Sequence, residues 1–284
     1  MAEWAPRRMK PAEIILRFAI LLPMLVVLAF FFLLPLGITT ANSLTGPQGF
    51  PTLAQYADVL TDEFYLEVLG RTVMIGVLTT LCTLLLGYPA ALFLYFSDSR
   101  WRRVFLFIII SPLFISVIVR TYGWIVLLSP GGIIANALPE GFRIRLLKTQ
   151  GAIVTGLVHI YVPYMVLSIN AAMAKIDPRF LRAAATLGSP SGQIFRRIIL
   201  PLSTPGIVSG CAIVFSLSMT AYSTPVLLGG AGNKTMPFLI YQQNLVLGDW
   251  QSGSALALVL LAVTAGCLLL LSLLTRRVVA RVGG

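Results

Sequence analysis

Acidic residues, cysteine and histidine are what this chain has least of. It carries 10 Asp and Glu against 21 Lys and Arg, with 3 cysteines and 1 histidine in 284 residues. Cys82, Cys211 and Cys267 all fall in apolar stretches without paired spacing, which argues against a disulfide framework and a Cys-based zinc site. No His, Asp and Glu cluster has metal-ligand spacing, and neither a P-loop nor a serine elbow occurs. The chain is therefore expected to hold no catalytic set, no metal and no cofactor of its own. If ATP drives it, another chain must bind the ATP. Low-complexity tails and scorable repeats are missing as well.

What is abundant is apolar surface. At 57% hydrophobic and 11% charged residues, the composition is that of an all-α membrane protein, read as a single transmembrane domain over residues 1–284. Six stretches are long enough to cross a bilayer: 14–41, 69–96, 104–128, 151–174, 204–227 and 254–275. The first is too long for a secretory signal and lacks its cleavage site, so it reads as a retained helix.

The net charge of +11 is distributed by side. If the loops alternate, one side holds Arg7, Arg8 and Lys10, then Arg100, Arg102 and Arg103, then Lys175, Arg179, Arg182, Arg196 and Arg197, and finally Arg276, Arg277 and Arg281. The other side holds only Arg143, Arg145, Lys148 and Lys234. By the positive-inside rule both termini are cytoplasmic, and the basic excess is a topology signal rather than a nucleic-acid surface. Trp124 and Trp250 fit interfacial anchors. Asn233-Lys-Thr235 matches a glycosylation sequon, a weak pattern at this length. Gly253, Ala255 and Ala257 have spacings that permit close helix contact. The outward segment 42–68 has room for a surface helix.

Between the fourth and fifth spans lies the most structured polar stretch, residues 177–200. Asp177 is a good N-cap, Pro178 suits the first helical position, and Gly188 followed by Pro190 marks a helix end. Ser189 and Pro190 begin a second short helix through Ile194, Phe195 and Ile198, expected to stop at Pro201. The result is a cytoplasmic helix-turn-helix elbow, too polar and broken to span, and shaped to touch another protein.

Ionisable groups inside the spans are few. Arg120 lies deep in the third span, where an exposed cation costs about 3 kcal/mol on insertion scales, so it faces a pathway or a structural partner. His159 is either a solute contact or a packed, hydrogen-bonded residue. Tyr122, Tyr161, Tyr164, Asn170 and Tyr222 are candidates to line a pathway and to hold a cation against a ring face, although membrane helices also carry such residues for packing. Pro163 frees a backbone carbonyl within its helix.

Ala183, Ala184, Gly188, Ile198, Leu200 and Pro201 resemble the signature of membrane subunits of binding-protein-dependent ABC importers, written EAA, three residues, G, nine residues, I, one residue, LP. Arg182 stands where that signature has glutamate. Together with the runs VIVRTYGWIVLLSPGGIIANAL, HIYVPYMVLSINAAMAKIDP and TPVLLGGAGNKTMPFLIYQQ, the chain is similar to the spermidine/putrescine-type branch. The resemblance implies a multi-pass permease of the bacterial inner membrane whose elbow seats in cytoplasmic ATPase subunits, in two copies, that bind ATP and Mg. It also implies a second permease subunit, a paralogue or the same chain, and a periplasmic or extracellular solute-binding protein. Asp177, Arg182, Ala183, Ala184, Gly188, Ile198, Leu200 and Pro201 are then the coupling residues. Either the ATPase presents an acid to Arg182, or Arg182 faces solvent. The implied solute is polyamine-like. The alternative is an anionic or zwitterionic solute such as an amino-phosphonate or opine, because the last four spans hold no carboxylate and Arg120 repels a polycation. A secondary transporter would need inverted repeats and midplane carboxylates, and neither is evident.

Overall fold

Proline, glycine and capping side chains divide the chain into helices of very unequal length. The computed structural model describes residues 11–46, 50–97, 99–137 and 146–280, and Arg7, Arg8, Lys10, Arg143, Arg145 and Arg281 lie outside them. Also outside are the side chains of Arg276 and Arg277. The elements are α1 (Pro11–Ser43), α2 (Ala54–Thr61), α3 (Glu63–Phe96), α4 (Ser99–Ile110), α5 (Val117–Leu128), α6 (Ile133–Ala137) and α7 (Gln150–Met173). They continue as α8 (Pro178–Thr186), α9 (Ser191–Ile194), α10 (Leu200–Met219), α11 (Ser223–Gly229), α12 (Met236–Tyr241) and α13 (Trp250–Ala280). The only strand-like pairing among the described residues is an isolated bridge between Thr45 and Pro51.

Side chains set several helix starts. Asp62 accepts from the Phe64 N–H at 2.8 Å to open α3, and Thr149 accepts from the Ala152 N–H at 3.1 Å to open α7. Each cap satisfies a donor that the helix cannot, worth about 1 kcal/mol.

Five helical stretches are long and apolar enough to cross a membrane: Leu21–Ser43, Glu63–Phe96, Gln150–Met173, Ser191–Met219 and Trp250–Thr275. The expected third span, 104–128, is instead broken. Its two halves, Arg100–Phe114 and Val117–Leu128, meet at 98°. Pro112 supplies no N–H and clashes with the carbonyl four residues back, so the helix tightens to a 3₁₀ turn over Ser111–Phe114 and then runs extended through Ile115. The expected fifth span, 204–227, is corrected too: its helix starts earlier and ends at Met219, and Ser223–Gly229 forms the separate α11. The segment 229–253 is largely helical, with α12 followed by a π-helical turn over Gln242–Leu247. The surface helix expected within 42–68 is α2.

The centre of the molecule is the mutual packing of α3, α7 and α10. Met165, Val166, Ile169 and Met173 of α7 meet Ala91 and Leu94 of α3 and Val214 of α10 there. Small residues allow the approach. Gly206 and Gly210 sit one turn apart on α10, and a Cβ on Gly206 would lie 2.6 Å from the Ala172 Cβ and 2.8 Å from the Ser168 carbonyl oxygen. This is the close-contact seam of membrane helices. Gly253, by contrast, leaves room for the Asn244 side chain of the neighbouring π turn. Helix α13 covers α10 and carries α1, whose described apolar side chains are mostly exposed.

On one face, Arg71 pairs with Glu67 and donates to the Gly232 carbonyl at 2.9 Å. Asn233 clamps the same region, its amide donating to the carbonyls of Lys148 at 3.0 Å and Gly229 at 2.9 Å. The sequon asparagine is thus committed to the fold. Asn233→Ala is expected to cost about 1–2 kcal/mol through those two lost bonds, read as a lower Tm of the purified chain. An unchanged Tm would show the clamp to be idle.

Candidate functional site

The elbow begins where α7 ends. Asp177 accepts from the Arg179 N–H at 2.8 Å, Pro178 occupies the first turn, and α8 runs to Thr186. It closes with Gly188 at φ +79°, as the Ser189 N–H reaches the Ala184 carbonyl at 3.1 Å and the Gly188 N–H reaches the Ala185 carbonyl at 2.9 Å. This paired closure is a Schellman motif, which favours glycine at the left-handed position. Both halves of the expected elbow therefore exist.

The second half does not stop at Pro201. From α9 the helix passes through a π turn over Phe195–Ile199 directly into α10, with the Leu200 N–H donating to the Phe195 carbonyl five residues back. Pro201 cannot donate to Arg197 and would crowd its carbonyl in α geometry, and the widened turn accommodates both problems. Elbow and span are consequently one continuous rod, Ser191–Met219.

Leu181 packs against the bundle, whereas Phe180, Arg182, Ala183 and Leu187 are exposed, Leu187 to 85%. Phe180, Ala183 and Leu187 share one helix face by their spacing, with Arg179 and Arg182 on the adjacent stripe. No salt bridge reaches Arg182 among the described residues. Ala184 and Ile198 turn inward and line a cavity of about 240 Å³ with Ser189, Gln193, Ile194 and Arg197. Leu200 and Pro201 lie at the start of α10, beyond that cavity.

A second cluster forms where α5 crosses α7. Arg120 lies within electrostatic range of Tyr161, Tyr164 and His159. Its Nε and Nη1 are shut off from solvent and have no hydrogen-bond partner among the described residues. Trp124, one turn along α5, donates from Nε1 to His159 Nδ1 at 3.2 Å, so the imidazole proton is carried on Nε2. Tyr161 donates to the Leu217 carbonyl of α10 at 3.0 Å, and its ring meets that of Tyr164 edge-on with centroids 6.3 Å apart. Pro163 is buried within an unbroken α7 and has no N–H to offer the His159 carbonyl.

Three expected pathway residues stand apart from this group. Tyr122 is exposed on another face of α5, Tyr222 packs its ring 4.9 Å from Tyr241 at the start of α11, and Asn170 lies more than a turn beyond Tyr164 along α7. Trp124, expected as an interfacial anchor, also contacts the cluster through His159. The spacing Arg120 to Trp124, one helical turn, was the signal available for it.

Comparison with known proteins places the chain. Residues 83–284 match the family described as binding-protein-dependent transport system inner membrane component. The chain is 36% identical over 224 residues to the spermidine/putrescine transport system permease protein PotB of Salmonella typhimurium, covering 78% of this chain and 77% of that one. It is 32% identical over 213 residues to PotB of Haemophilus influenzae, covering 74% of each. A chain of the bacterial ABC transporter involved in import of the acidic polysaccharide alginate shares the fold, with TM-score 0.77 and 20% identity over 92% of this chain and 95% of that one. An elbow carrying six of the seven signature residues, a helical bundle and these relatives agree: the chain belongs to the binding-protein-dependent transport system inner membrane components, as a multi-pass permease subunit of an ABC importer whose ATPase is a separate chain.

Proposed function

We propose that this permease imports a polyamine-class solute. The relatives named for spermidine and putrescine over more than three quarters of the chain carry this reading. The Tyr161 and Tyr164 ring faces and the His159 carbonyl left without a Pro163 donor are groups that suit an ammonium. In this reading both termini are cytoplasmic, the elbow docks on ATPase subunits, a second permease subunit completes the pathway, and a binding protein delivers the solute outside. ATP-dependent uptake of radiolabelled putrescine by the reconstituted complex tests it, and absence of uptake, with the binding protein present, would reject the solute.

A second reading, an anionic or zwitterionic solute, is favoured by one observation: the stranded donors of Arg120 have no acceptor among the described residues, and an anionic solute would supply one. In either reading Arg120 acts on the pathway rather than at the elbow. Arg120→Ala is therefore expected to lower uptake by about tenfold or more, the scale of one charged contact, while the ATPase stays attached. Unchanged uptake kinetics would remove Arg120 from the pathway.

A further inference from the structure

The elbow is strongly one-signed. Lys175, Arg179, Arg182, Arg196 and Arg197 stand against a single acid, Asp177, one of whose carboxylate oxygens accepts from the Arg179 N–H. Within the elbow the helices also leave a recess, the cavity of about 240 Å³ between the end of α8 and the π turn. Its wall is mixed: Ala184, Ile194 and Ile198 are apolar, while Ser189, Gln193 and Arg197 offer donors. Two of the signature positions, Ala184 and Ile198, thus do not form the outer docking face. Ala184 keeps the recess open, because any larger side chain there would fill it.

We infer that this recess is a receptor for an acidic side chain of the partner ATPase, with Arg197 as the counter-charge and the Ser189 and Gln193 side chains as supporting donors. The inference rests on the reading of the elbow as the ATPase-docking surface and adds to it the chemistry of the contact. Aspartate or glutamate fits the donor set, since a carboxylate accepts only, and Arg197 can meet it with two parallel N–H groups. Arg182 fits the same partner. With arginine where the signature has glutamate, the outer stripe attracts an acidic rim rather than a basic one, and the whole elbow presents one sign to one surface. Seating is then a knob and a socket together: Phe180 and Leu187 project from this chain, and a carboxylate projects into it.

The test is attachment of the ATPase subunit to the detergent-solubilised full-length permease complex, measured at two salt concentrations. Arg197→Glu is expected to weaken attachment by more than about tenfold and to flatten its salt dependence, and Arg197→Lys to retain much of it. Ala184→Leu, which adds no charge, is expected to weaken attachment by filling the recess. Should Arg197→Glu insert poorly, Arg197→Gln carries the same expectation at smaller size. Attachment within twofold of wild type for Arg197→Gln and Ala184→Leu, while Leu187→Glu detaches the ATPase, would overturn the socket and leave the docking reading standing. If Leu187→Glu also leaves attachment unchanged, the docking reading falls and the socket with it. Anionic lipid as the true partner of these arginines would appear as unchanged ATPase attachment in every arginine variant, which also overturns the proposal.

Discussion

Gly206→Val is expected to abolish accumulation of folded protein in the membrane. A Cβ at this position meets the Ala172 Cβ at 2.6 Å, the Ser168 carbonyl oxygen at 2.8 Å and the Ile169 Cα at 3.0 Å. Two of those three atoms are backbone of α7, which cannot rotate away as a side chain can. Overpacking of a core ordinarily costs about 1–3 kcal/mol, and an obstruction by backbone stands at the upper end of that scale or beyond it. The seam at risk is the α7 contact of the three-helix centre, so its loss is not confined to one loop. Gly210 provides the internal control. There the nearest atom is the Met165 sulfur at 2.6 Å, the far part of a flexible side chain. Gly210→Ala is accordingly expected to fold with a modest drop in Tm. Protease resistance and Tm in detergent read both variants, and wild-type values for Gly206→Val would refute the seam.

Gly188→Val is expected to leave the bundle intact and to uncouple it. Nothing lies within 4 Å of a Cβ built here, so space is not the issue. The φ of +79° is, since a left-handed backbone costs an L-residue about 1–2 kcal/mol and a β-branched one most. Valine relieves that strain by abandoning the left-handed turn, which breaks the closing bonds from Gly188 to Ala185 and from Ser189 to Ala184. The α8 face then points elsewhere, while the spans keep their packing. ATP-driven uptake should fall to background with unchanged Tm of the permease, together with loss of ATPase attachment or futile hydrolysis. Gly188→Asn should retain part of the function, because asparagine tolerates this conformation. Full transport by the valine variant with normal assembly would count against the elbow as the coupling element.

Caps and short-range punctuation were legible in the sequence because their causes are local. Asp177, Pro178 and Gly188 do what their chemistry dictates, and the fourth span, read as 151–174, is Gln150–Met173. The break inside the third span and the early helix end in the fifth are invisible in the sequence for one shared reason. A hydropathy window averages over a break, so the apolar residues around Pro112 and those flanking Thr220 to Tyr222 hid the bend and the early helix end. Which candidate residues come together was only half legible. Residue type nominated Arg120, His159, Tyr161 and Tyr164, which do converge, but gave no direction for Tyr122 or Tyr222, whose faces depend on how α5 and α11 are turned. Trp124 adds a contact that its residue type does not announce, the hydrogen bond to His159 across to α7.

The π turn between α9 and α10 has a geometric effect beyond accommodating a proline. A π turn holds one residue more than an α turn, and each residue advances a helix by about 100°. Everything on the elbow side of Phe195 is therefore out of phase with the rod that carries it, by roughly a quarter of a revolution. The nine-residue interval from Gly188 to Ile198 sets distance along the axis, while the surplus residue sets azimuth, the compass bearing at which the elbow leaves the span. Two permease chains whose sequences align without a gap through this stretch would still aim their elbows differently if only one of them kept the extra turn.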